Sequence, residues 1–141
     1  MSQEDPQPSA RRTIRVVAAE VERDGRYLIT QRRPSATMPL LWEFPGGRAE
    51  PTETDAQALE RELYYRLGVG VDVKEASFTV EHVYERYSVD FRVYRAELLG
   101  TPECRGVHDL AWVQPENFDQ YDFPGADQAT VDQLLGLAPT D

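Results

Sequence analysis

A single cysteine, Cys104, stands among the 141 residues, so an intramolecular disulfide is excluded and a reducing, cytoplasmic setting is the expectation. No run of about 18 apolar residues occurs, so no transmembrane helix is expected. Residues 1–12 (MSQEDPQPSARR) lack the apolar stretch of a secretory signal. They are expected to form a disordered lead-in to a single domain over residues 13–138. Positive charge is scarce: 15 Lys and Arg face 25 Asp and Glu, a formal charge of −10. A nucleic-acid polymer needs a broad basic face and is disfavoured as a partner. A small nucleotide is not excluded, because a pocket can be locally positive on an acidic protein. No internal repeat, linker or low-complexity segment is present. What remains is a composition of 40% hydrophobic and 28% charged residues, ordinary for a globular chain able to bury one sizeable core.

Residues 13–21 (TIRVVAAEV) are β-branched and apolar enough for a strand. Asp24-Gly25 marks a hairpin turn, with residues 26–31 returning as the partner strand. Residues 34–46 carry three prolines and no helical period, the pattern of an irregular loop. The PTET run of residues 51–54 signals a helix start, and the helix extends over 55–67 to Gly68, which tolerates the positive φ of a helix end. On it Ala58, Leu59, Leu63 and Leu67 share one face, and Glu62, Tyr65 and Arg66 a neighbouring one. Strands follow at 76–84 and 88–98, the second alternating Val89, Phe91 and Val93 with Asp90, Arg92 and Tyr94. A short strand at 110–113, a helical turn from Pro115 and a helix over 126–135 complete the chain. This order describes an α/β (α+β) fold, a mixed β-sheet sandwiched between α-helices.

Residues 47–69 (GRAEPTETDAQALERELYYRLGV) place Gly47, Glu53, Arg61, Glu62, Leu63, Gly68 and Val69 at the spacing G-x5-E-x7-R-E-U-x-E-E-x-G-U, with U a bulky aliphatic residue. The segment resembles the Nudix box. WEFPGG (42–47) and FPGAD (123–127) are similar to segments of MutT-type Nudix hydrolases, so the resemblance spans residues 14–137. It implies the Nudix fold and pyrophosphohydrolysis of nucleoside di- or triphosphates with Mg²⁺ or Mn²⁺. Tyr65 and Arg66 replace the two adjacent glutamates which, with the carboxylate matching Glu62, hold the family's metal. Mg²⁺ demands near-octahedral oxygen ligation and is poorly held by one carboxylate. Glu62 is thus left as the conventional ligand, with Glu53 as an accessory acid and the carbonyl of Gly46 or Gly47 as a further weak donor. Arg61 is implied to orient the loop by pairing with an acid such as Glu53, and the catalytic candidates are Glu53, Arg61 and Glu62.

Arg66 admits two readings. Its guanidinium pairs with Glu62 in the room a cation would fill and contacts phosphate, or the two form an ordinary i, i+4 surface pair. Tyr65 is expected to pack into and fill the site. Arg32 matches a family position near the sugar and phosphates, and Asp127 the position where an asparagine reads an oxidised guanine. Asp also suits a helix N-cap. Arg32, Arg66 and Asp127 are the substrate-binding candidates, with Arg33 and Arg48 on loops expected around a diphosphate. Glu103, His108 and Asp109 are substitutes for a catalytic base, since Gly106 and Val107 stand near its expected position. Two functions follow. One is a MutT-like hydrolase of a small nucleotide or nucleoside diphosphate-linked ligand, with weak or lost metal-dependent hydrolysis. The other is a non-catalytic module, needing no cofactor, that binds a nucleotide, a protein partner or a second copy in regulation or assembly.

Overall fold

The computed structural model describes residues 12–136. Residues 1–11 of the expected lead-in, and the last two residues of the expected domain, lie outside the described residues. Strand β1 (Thr13–Glu20) occupies the centre of the molecule. It runs parallel to β7 (Ser88–Leu98) on one side and antiparallel to β5 (Gly46–Arg48) on the other, and β6 (Val71–Val83) closes the mixed sheet in the order β5-β1-β7-β6. Both faces of β1 are covered. Val17 and Ala19 join a core with Leu59, Leu63 and Leu67 of α1 (Asp55–Leu67). Ala18 faces a second core with Ala126 and Val131 of α2 (Gly125–Leu134). The side-chain alternation of an extended strand divides β1 between these two cores, and the mixed sheet lies between helices as expected.

The structure adds a second, antiparallel sheet in which β3 (Arg26–Gln31) pairs with β2 (Glu22–Arg23), β4 (Trp42–Glu43) and β8 (Asp109–Val113). This corrects the simple hairpin. Asp24 and Gly25 do form its turn, both with positive φ, 55° and 78°. The strand breaks at buried Val21, however, so the hairpin partner of β3 is β2, with the Val21 carbonyl accepting the Leu28 N–H, while β1 serves the other sheet. Strand β6 also starts five residues before the expected one, because its exposed, charged beginning has no clean alternation and contains two register shifts. A 3₁₀ turn over Pro115–Gln120 buries Phe118 in the second core.

Helix α1 positions the box and is held at both ends. Thr54 Oγ1 accepts the Gln57 N–H at 3.1 Å while Gln57 Oε1 accepts the Thr54 N–H at 2.9 Å, a reciprocal cap. Gly68, at φ 69°, ends the helix by donating its N–H to Tyr64 O. In the first turn, Asp55 accepts hydrogen bonds from Arg15 of β1 and from Arg92 and Tyr94 of β7. Burial opposes the charge of Asp55, but the three donors outweigh it and hold the carboxyl below its ordinary range. Strand β5 approaches β1 so closely that a Cβ on Gly46 would overlap the Val17 carbonyl and lie 2.7 Å from Ala18 Cα. Both neighbours are backbone and have little freedom to yield. Gly46→Ala should therefore cost about 2 kcal/mol or more, read as a lower midpoint in urea with an unchanged slope. A loss below about 0.5 kcal/mol would show that the pairing is looser than described.

Candidate active site

Glu62 projects from α1 toward Gly47 of β5 and is 8% exposed. A Cβ on Gly47 would collide with its carboxylate, so a glycine is required for this approach. Both carboxylate oxygens already accept hydrogen bonds: Oε1 from Arg66 Nε at 2.6 Å and Oε2 from Arg61 Nη1 at 2.9 Å. Arg61 also grips Glu53, Nε to Oε2 at 2.6 Å and Nη2 to Oε1 at 2.9 Å, and donates to the Arg48 carbonyl. The Glu50 N–H adds a further donor to Glu53 at 2.8 Å. The hydrogen bonds from Arg61 and then from the Glu50 backbone pull the Glu53 carboxyl down to about 2. The pairing of Arg61 with Glu53 ties the start of the box loop to the helix.

Beyond Glu62 the ionic contacts continue into a cavity of about 320 Å³. Arg66 Nη1 lies 3.7 Å from Glu43 Oε2, while Arg32 Nη1 donates to Glu43 Oε1 at 3.1 Å. Arg32 is further fixed by donating Nε–H to the Thr37 carbonyl at 2.6 Å. Asp127, 6% exposed, accepts the Phe44 N–H at 3.1 Å. The lining combines Arg32, Arg48, Arg66, Glu43 and Asp127 with an apolar and aromatic wall that includes Phe44, Tyr84, Tyr87 and Phe91. Desolvation raises the Glu43 carboxyl despite its two arginines. Asp127 is pushed well above its ordinary range, by burial first and then by the charge of Glu43.

Six of the expected site residues, Arg32, Gly46, Gly47, Arg48, Arg66 and Asp127, line this one cavity. Glu62 stands behind Gly47, and Glu53 and Arg61 do not line it. Tyr65 does not fill the site: it is 65% exposed, with its ring edge against Gly106. The helical turn that brings Arg66 inward carries its neighbour outward. Asp127 is not the N-cap of α2; Pro124 occupies that position, and the carboxylate lies inside the first turn, bonded across to Phe44. Arg33 is drawn away to donate to the Arg105 carbonyl. Glu103, His108 and Asp109 are exposed and line no part of the cavity. Glu43, Tyr84 and Tyr87 were not anticipated. A charged residue between Trp42 and Phe44 was the available signal for the first, and the tyrosines flanking the β6–β7 turn for the others.

These donors do not fit the divalent cation that the box implies. The carboxylate oxygens of Glu62 and Glu53 are taken up by guanidinium and backbone donors. Among the described residues no group of three or more His, Cys, Asp or Glu side chains is placed to hold an ion. An ion at Glu62 would have to displace Arg66 and then complete its shell mainly from water.

The buried acid pair sets a pH dependence. A carboxyl whose folded pKa is raised stabilises most below its unfolded value, here 3.8, and that stability is lost as pH rises toward the folded value. Asp127→Asn keeps an oxygen for the Phe44 N–H and removes the titration. Its melting temperature relative to the parent should therefore climb between about pH 4 and 7; parallel profiles would show that Asp127 ionises freely.

A sequence model of the NUDIX domain matches residues 16–133. CTP pyrophosphohydrolase of Escherichia coli K12 is 35% identical over 132 residues, covering 88% of this chain and 93% of that protein. The 8-oxo-dGTP diphosphatase of Haemophilus influenzae is 29% identical, covering 89% and 93%. The solution structure of the E. coli ORF135 protein superposes with a TM-score of 0.80 at 32% identity, covering 96% of this chain and 99% of that one. With the box frame, the mixed sheet and helix α1 in place, the chain belongs to the Nudix family, in its MutT-like line of hydrolases.

Proposed function

We propose that the cavity binds a small nucleotide or nucleoside diphosphate-linked ligand, and that metal-dependent hydrolysis by this chain is weak or lost. The observation carrying this reading is the double occupation of Glu62 by Arg61 and Arg66. Charge-assisted bonds of this kind are roughly twice as strong as neutral ones, and the Arg66–Glu62 pair is sheltered, its side chains 25% and 10% exposed. Separating them strands a carboxylate in a poorly solvated position, which opposes entry of Mg²⁺ or Mn²⁺. Nucleotide chemistry is supported by the relatives named above and by the lining itself. Arg32, Arg48 and Arg66 offer guanidiniums to phosphates, while Tyr84 and Tyr87 supply flat aromatic surface for a base. Asp127, in its neutral form, can donate to a base acceptor. A partner-binding role has narrower support, from Tyr64 and Tyr65, 61% and 65% exposed on α1.

Turnover of nucleoside triphosphates with Mg²⁺ or Mn²⁺, followed by phosphorus NMR, should fall well below the ordinary enzyme range of about 1 to 10³ s⁻¹. Tyr65→Glu combined with Arg66→Glu places carboxylates one turn from Glu62 and should tighten metal binding and raise turnover. Arg66→Glu alone should help less. Ordinary turnover by the unaltered chain would overturn the reading.

A further inference from the structure

We propose that Arg66, together with Arg32, takes over the charge of the missing divalent ion, so that the phosphates of the ligand are bound without metal and Glu62 acts as the anchor of Arg66. This rests on the reading of the cavity as a nucleotide site. The geometry of Arg66 carries it. Its Nε–H is committed to Glu62 at 2.6 Å, which fixes the guanidinium plane. Glu43 stands 3.7 Å from Nη1, beyond hydrogen-bonding distance. Among the described residues, neither Nη1 nor Nη2 donates a hydrogen bond, although the side chain lines the cavity and is only 25% exposed. A half-buried guanidinium with a held edge and an open fork is prepared for a bidentate acceptor.

Arg32 is arranged alike. Nε and Nη1 are committed to Thr37 and Glu43, and Nη2 makes no hydrogen bond among the described residues. Arg48 adds a third lining guanidinium, also without a side-chain partner there. Three cations thus face two carboxyl groups, Glu43 and Asp127, and the second is pushed toward its neutral form. Glu62, behind Gly47, offsets the charge of Arg66, so the cavity offers directed guanidinium N–H groups rather than an excess of charge. An ordinary surface pair between Arg66 and Glu62 would account for neither the shelter of both side chains nor the second acid beside Arg66. Two guanidiniums match the charge of one divalent ion and hold phosphate, but they are not Lewis acids and do not lower the pKa of a water. Binding is thereby separated from cleavage.

The test is titration calorimetry with ATP, CTP, their monophosphates and inorganic pyrophosphate, in EDTA and again with Mg²⁺. The expected result is binding in EDTA within about threefold of that with Mg²⁺, falling more from triphosphate to monophosphate than between the two bases. Glu62→Gln replaces the charged anchor of Arg66 with a neutral one, so triphosphate affinity should fall by the same factor in EDTA and in Mg²⁺; a loss seen only with Mg²⁺ would mark Glu62 as a metal ligand and overturn the proposal. Arg66→Ala in the Glu62→Gln background avoids a stranded carboxylate and should weaken triphosphate binding by about tenfold or more, with circular dichroism confirming the fold. Arg66→Lys should recover only part, since it restores the charge without the fork. Triphosphate binding that requires Mg²⁺, or unchanged affinity on removing Arg66, would overturn the proposal while leaving a nucleotide site intact. Failure of every ligand to bind under either condition would overturn the nucleotide reading as well.

Discussion

Everything distinctive about this site turns on a single carboxylate, Glu62, held between Arg61 on one oxygen and Arg66 on the other. Arg61 is part of the box frame and links Glu62 to Glu53 and to the Arg48 carbonyl. Arg66 stands where the box has a glutamate. The exchange of an acid for a guanidinium removes a ligand and also places a fixed cation against the remaining one. Because the pair is sheltered from water, its attraction is less screened than on an open surface.

From that point opposite charges alternate across the molecule: Glu53, Arg61, Glu62, Arg66, Glu43 and Arg32. Each carboxylate in this series touches a guanidinium, so burial is compensated along its length. Asp127 is the exception. Among the described residues it approaches Glu43 without a cation of its own, accepts only the Phe44 N–H, and is driven toward protonation. One cavity therefore joins a guanidinium face to a buried acid with a raised pKa beside aromatic surface, two chemistries suited to different parts of a nucleotide.

The scaffold keeps these groups in register by leaving out side chains. Gly46 lets β5 lie against β1, and Gly47 leaves room for the Glu62 carboxylate. Helix α1 is pinned to the same sheet through Asp55 and packs Leu59, Leu63 and Leu67 into the core. The glycines and the apolar stripe are the parts of the box shared by a hydrolase and by a chain with altered site chemistry, which explains how the fold persists across the change.

Local pattern determined a good deal. The 3.6-residue period, the cap at Thr54 and the stop at Gly68 depend on neighbours in sequence, and α1 runs Asp55–Leu67 as its sequence indicates. The spacing of the box identified the family and singled out positions 65 and 66 as the places where the chain departs from it. Contacts between distant segments were not legible in that way. The break at Val21 that sends β1 and β2 into different sheets follows from burial on both sides, which no hairpin signal records. Glu43 meets Arg66 across 23 positions, and Asp127 meets Phe44 across 83; neither pairing has a periodicity to reveal it. Tyr65 and Arg66 are adjacent in sequence, yet a helix turns successive residues by about 100°, so packing of α1 on the sheet alone decided which would face the cavity and which the solvent.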